Sequence, residues 1–145
     1  MVNIRPFASA DEEAIVALWE ESGLTRPWND PLKDVQRKTK TQPEMFLVAE
    51  ADHGAVVGSA VVGYDGHRGW IYYLAVAKSH RATGLGKSLV QRAESMLAAL
   101  DCPKVQLQVR PENTQVIAFY EGLGYSTYEA INLGKRLEDD EKAMS

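Results

Sequence analysis

The sequence predicts an α/β (α+β) fold: a central mixed, mostly antiparallel sheet with helices on both faces. Three observations predict it. Helix-period and strand-period apolar patterns alternate along the chain. Three strand-like runs separated only by short turns, Met45 to Glu50, Ala55 to Tyr64 and Trp70 to Val76, have the pattern of an antiparallel meander. A strand, a long helix and a further strand then form a crossover, which sets the two flanking strands parallel. The expected order is β-α-α-β-β-β-α-β-α-β-β.

Val2 to Phe7 is the first strand. Ser9-Ala10-Asp11-Glu12 fits a capping box with Ser9 as N-cap. Ile15, Leu18 and Trp19 follow at helical spacing, and Gly23 stops the helix. Leu24 to Pro31 holds two prolines and an Asn-Asp pair, hence a loop. Asp30 caps a second helix with Pro31 at its first position, running to about Lys40. On it, Lys33, Arg37, Lys38 and Lys40 read as a solvated basic face. Ala51-Asp52-His53-Gly54 turns one hairpin, and Tyr64 to Gly69 turns the next. Leu85, Leu89, Ala93, Met96, Leu97 and Leu100 mark one face of a long helix that Cys102-Pro103 ends. Val105, Leu107 and Val109 alternate as a strand. Asn113 or Thr114 caps a last helix, and Gly124 ends it. Tyr125 to Leu137 is expected to add one or two final strands, and residues 138–145 a frayed acidic tail.

The chain of 145 residues suits a single domain, 1–145, and its 45% hydrophobic and 25% charged content is that of a globular protein. Sixteen basic against twenty acidic residues, net charge −4, excludes a general nucleic-acid binder, which needs a basic excess to displace counterions. One cysteine, Cys102, excludes an intrachain disulfide. His53, His67 and His80 lack metal-ligand spacing, so no metal is expected. No apolar run suffices to span a bilayer, and no secretory signal is expected. A cytoplasmic location, with no membrane and no nucleic-acid partner, is the expectation.

Chemistry concentrates where the fourth strand ends, at Arg81-Ala82-Thr83-Gly84-Leu85-Gly86-Lys87. A strand feeding a Gly-containing loop and then a helix turns backbone N–H groups toward one point, and the helix N-terminus adds partial positive charge. Such a loop cradles phosphate. Walker A requires Gly where Arg81 stands, and the dinucleotide fingerprint requires Gly where Leu89 stands. What remains is Arg-x-x-Gly-x-Gly. With the downstream run Asn113 to Tyr125, containing Ala118-Phe119-Tyr120 and Gly124-Tyr125, it resembles the GNAT N-acetyltransferase superfamily over essentially the whole chain. Ala82 departs from the Gly often seen there, and Ala tolerates positive φ less well. The stretches Arg26 to Pro31, Gly63 to Gly69 and Leu133 to Leu137 are similar to a small bacterial group, the YpeA-type acetyltransferases.

The resemblance implies acetyl transfer from acetyl-CoA to a primary amine, on a small molecule or a protein N-terminus, within a ternary complex. It implies that Arg81, Ala82, Thr83, Gly84, Leu85, Gly86 and Lys87 hold the pyrophosphate. The backbone of Leu74, Ala75 and Val76 would pair with the pantetheine amides, a nearby bulge would aim an N–H at the thioester oxygen, and Asn113 would contact the same arm. Tyr120 would be the general acid for the departing sulfur. Its alternative is packing with Val116 and Leu123. For the base, Glu50, Asp65, His67 and a water chain stay open. In this superfamily the loop holding Trp28 often borders the acceptor, with Asp30 or Asp65 holding a cationic amine. The bland reading is that Trp28 plugs the core edge and Asp30 only caps its helix. A non-catalytic acyl-CoA sensor of the same fold is the rival function. A homodimer through the Ile131 to Leu137 strand is a further expectation of the resemblance.

Overall fold

The computed structural model describes residues 1–140. Strands β1 (Asn3–Pro6), β2 (Phe46–Glu50), β3 (Val56–Tyr64), β4 (Gly69–Val76) and β5 (Val105–Gln106) form one sheet in that order. The first four pair antiparallel, and β4 with β5 parallel. Helices α1 (Glu12–Glu21), α2 (Pro31–Thr39), α3 (Leu85–Ala99) and α4 (Thr114–Gly122) cover both faces.

The layering follows from the two-residue period of a strand. In β2, Leu47 and Ala49 point to a core shared with Leu85, Leu89, Ala93 and Leu97 of α3 and Tyr120 of α4. Phe46 and Val48 point to the other face, where Ile15, Leu18 and Trp19 of α1 and Val35 of α2 close a second core. Because both faces are covered, β2 reads as an unbroken apolar run. Close packing sets residue size as well. A Cβ on Gly69 would lie 2.6 Å from Leu97 Cδ1, so α3 seats its last turn directly on the start of β4.

Three sequence expectations are corrected. Ser9 is not the N-cap of the first helix. The chain enters α1 through a 3-10 turn, Ser9–Asp11, and Asp11 accepts from Ala8 N at 2.8 Å. Asp11 is drawn there because Arg5 holds it at 2.8 Å, which lowers its pKa through that hydrogen bond.

Residues 125–137 form no strand. They run beside β5 through side chains instead, with Gln106 Nε2 donating to Tyr128 Oη at 2.6 Å and Gln108 Nε2 to Asn132 Oδ1 at 2.9 Å. Ile131, Leu133 and Leu137 are about nine-tenths exposed or more, so no buried face pins a ladder register. The fraying expected from residue 138 does not begin there. Asp140 is buried, accepts from Asp30 N at 2.9 Å and pairs with Arg37 at 2.7 Å. Residues 141–145 of that expected tail lie outside the described residues.

Candidate active site

Strand β4 has one edge on β3. On its other edge β5 pairs only at Gly69–Val105 and Trp70–Gln106. Leu107 and Val109, expected in that strand, lie past its end, so the two chains diverge. A cleft of about 780 Å³ occupies the gap. Residues 71–74 form one wall and residues 107–110 the other, with Val116, Phe119 and Tyr120 of α4 alongside.

The β4 wall is not regular. The register with β3 shifts between Ser59↔Ala75 and Val61↔Tyr72. That places one extra residue in β4, a bulge, and Tyr73 sits at φ +50°. Left-handed backbone is costly for tyrosine, and three contacts hold it. Its ring stacks on Trp19 at 3.8 Å. Its carbonyl accepts from the buried Ser59 Oγ at 2.8 Å, which itself accepts from Trp19 Nε1 at 2.9 Å. Its hydroxyl donates to Asp34 at 2.5 Å. Burial, then the Asp34 contact, pushes the Tyr73 phenol up. Leu74 lines the cleft beyond the bulge, and Ala75 and Val76 continue the same β4 edge toward the loop.

In that loop Ala82 takes φ +61° and Gly84 φ +87°. Thr83 Oγ1 donates to His80 O at 2.5 Å, and Arg81 Nε reaches back to Val76 O at 3.1 Å. Ser88 N is the amide that bonds to Gly84 O, at 3.0 Å. The N–H groups of Leu85, Gly86 and Lys87 therefore lie ahead of the helical ladder. Gly86 has a packing reason as well, since a Cβ there would lie 3.3 Å from Phe119 Cζ.

Tyr120 is 6% exposed and lines the cleft. Its ring meets Phe119 and Tyr125 edge-on at 5.1 and 5.4 Å, and burial pushes its phenol up. The packing and chemical readings of Tyr120 are thus both compatible with its position. Asn113 also lines the cleft, and its side chain makes no capping bond with α4.

At the far end the structure sorts the acceptor candidates. Trp28 lines the cleft and is 42% exposed, a wall rather than a core plug. Asp30 does not line it. Its Oδ1 caps α2 through Leu32 N at 2.9 Å, as the bland reading had it. Asp65 does not line it either. It accepts from Arg68 N and His67 N at 2.7 and 2.8 Å and from Trp70 Nε1 at 3.1 Å. Those bonds, Arg68's first, hold its carboxyl down to about 2. Glu50 is paired with Arg5 at 2.7 Å, and His67 is exposed in the turn.

The carboxylate that does line the cleft is Asp34, with Arg37 and Lys38. The basic face of α2 is therefore not all solvated: Lys38 Nζ donates to Val62 O at 2.5 Å, and burial lowers its pKa. Sequence reading missed Asp34, Tyr73 and Arg110. Asp34 carried one signal, its spacing three residues before Arg37. Which way that helix face points is set by the sheet beneath it.

Comparison with known proteins gives the family and the fold. The model of the Acetyltransferase (GNAT) family matches residues 13–125. An acetyltransferase of Pectobacterium atrosepticum is 49% identical over 139 residues, covering 96% of this chain and 98% of that one. A Chaetomium thermophilum protein solved with a bisubstrate analogue is similar at TM-score 0.72 and 27% identity, over 87% of this chain and 72% of that one. AAC(6')-Iy, solved with the bisubstrate analogue CoA-S-monomethyl-acetylneamine, shares the fold at TM-score 0.76 and 19% identity, over 94% and 98%.

Proposed function

Because the chain belongs to the acetyltransferase (GNAT) family, we propose that it moves an acetyl group from acetyl-CoA to a primary amine by direct transfer in a ternary complex. The observation that carries this is the cleft running between the diverging β4 and β5, with Tyr120 in its wall. The donor fits the residues present. The edge of β4 from Leu74 to Val76 has no β5 partner, which suits pairing with the pantetheine amides as an added strand. Beyond it, the amides of Leu85, Gly86 and Lys87 and the charges of Arg81 and Lys87 suit the pyrophosphate. Asn113, whose side chain makes no capping bond with α4, offers its amide to the same arm. The donor supplies the activated thioester.

In the reaction a nitrogen–carbon bond forms and the carbon–sulfur bond breaks, and the departing sulfur takes a proton. Tyr120 is the donor of that proton. Its hydroxyl makes no hydrogen bond among the described residues, and a phenol is protonated at neutral pH even at its ordinary value of about 10; burial favours that protonated form further while making it a weaker acid. The bulge at Tyr73 re-aims the β4 backbone beside the thioester position, where an N–H stabilises developing negative charge. The amine must shed a proton before attack. Glu50, Asp65 and His67 do not line the cleft, and both oxygens of Asp34 are engaged, by Arg37 and Tyr73. Cleft water is the remaining acceptor.

The test is the thermal midpoint with and without acetyl-CoA, followed by thiol release with amines and peptides. A ligand at 100 times its Kd stabilises by about 2.7 kcal/mol, a rise of roughly 5–10 °C here. Tyr120→Phe is expected to cut turnover about 100-fold with acetyl-CoA affinity unchanged. Full turnover in that variant removes Tyr120 from the chemistry. A rise without turnover on any amine favours the sensor.

A further inference from the structure

The cleft is lined by Arg26, Arg37, Lys38 and Arg110, against Asp34 as the one carboxylate among its described residues. Two of these cations are spoken for. Arg37 pairs with Asp34 at 2.9 Å and with Asp140 at 2.7 Å, and Lys38 is spent on Val62 O. Arg26 and Arg110 form no ion pair among the described residues. In a chain of net charge −4, two unpaired guanidinium groups in one cleft need a reason.

Their placement supplies one. Arg26-Pro27-Trp28-Asn29 is a turn closed by Asn29 N donating to Arg26 O at 3.0 Å, with Pro27 at the position that pre-sets its φ. Arg26 Nη1 donates to Gly23 O and Thr25 O, both at 2.8 Å, so the group is held while its other N–H groups stay available. From the opposite wall, Arg110 Cζ lies 6.0 Å from the centre of the Trp28 ring, within cation–π range. Arg136 Nη2 reaches Asn29 Oδ1 at 2.6 Å and adds a third cation outside the turn. None of these residues belongs to the loop suited to the donor's pyrophosphate.

We propose that Arg110, Arg26 and Trp28 form an anion subsite at the acceptor end of the cleft, so that the amine acceptor also carries a carboxylate or a phosphate. This rests on the acetyltransferase reading and names its acceptor class. Guanidinium forks bind either group through two N–H donors, and the Trp28 ring supplies an apolar wall for the body of the acceptor.

The test uses the full chain saturated with CoA and two matched pairs of product-like probes. One pair is N-acetylphenylalanine and its amide; the other is N-acetylglucosamine 6-phosphate and N-acetylglucosamine. Affinities are read by calorimetry. The anionic member of at least one pair is expected to bind tenfold or more tightly than its neutral partner. The pair that shows the gap identifies carboxylate or phosphate. Arg110→Gln and Arg26→Gln are expected to shrink that gap severalfold each, while the acetyl-CoA thermal shift stays that of the wild type. No preference in either pair, or one that survives both substitutions, overturns the subsite. Absence of the acetyl-CoA shift in the unmodified chain would instead sink the donor assignment, so the two failures are separable.

Discussion

Ala82 shows how a single residue can carry a cost that its neighbours impose. The loop must turn between the end of β4 and the first turn of α3, and it does so with Ala82 at φ +61°. An L-residue with a Cβ pays about 1–2 kcal/mol in that region, and glycine pays more in the unfolded chain. The difference leaves about 0.5–1 kcal/mol in favour of glycine. Ala82→Gly is therefore expected to raise Tm by roughly 1–4 °C with acetyl-CoA affinity unchanged, since the conformation that meets the pyrophosphate is the same. A lower Tm would show that the free loop does not hold this φ. The departure was visible in the sequence, because the motif marks a position where glycine is usual. Tyr73 gave no such sign. Nothing in a tyrosine within an apolar strand announces φ +50°, and the bulge appears only once Ser59, Trp19 and Asp34 converge on it from three separate elements.

At the scale of elements, α2 is the informative case. Its start was legible, since Asp30 and Pro31 are standard N-terminal signals and Asp30 caps Leu32 N. Its partner was not. Asp140, over a hundred residues away in an acidic tail, accepts from Asp30 N and pairs with Arg37, so the described C-terminus is fastened across the head of this helix. Composition favours a solvated tail, and only tertiary pairing overrides it. These bonds, Arg37's first, hold the Asp140 carboxyl down to about 2, against an ordinary value near 3.9. A depressed carboxylate stabilises fully above its unfolded-state value and loses that contribution as pH falls through its folded-state value. Asp140→Asn is therefore expected to lower Tm at pH 7. The gap to wild type should close as pH falls from about 4 to about 2. Two curves that stay parallel down to pH 2 would mean the pair contributes nothing to holding the tail.

Across the whole molecule, the sheet was legible where its strands are long and alternate, and it faded where pairing is short. Leu107 and Val109 alternate as a strand should, yet β5 ends at Gln106, because the chain diverges from β4 to leave the cleft. Local patterning reports which side chains want burial; it does not report where two strands part. The same divergence is what a donor would fill, and this gives the cleft a signature independent of turnover. Before binding, the β4 edge from Leu74 to Val76 lacks a partner strand, and the amides of residues 85–87 precede the α3 ladder. Binding of acetyl-CoA is expected to give these two segments hydrogen-bond partners at once. Amide hydrogen exchange with and without acetyl-CoA should then slow by about tenfold or more at 74–76 and 85–87. Strand β2, none of whose residues lines the cleft or the pocket beside the loop, should keep its exchange rates apart from any gain in global stability. Protection confined to the loop, with none on β4, would mean that phosphates bind there while the arm takes another path, and the role drawn for the bulge would go with it.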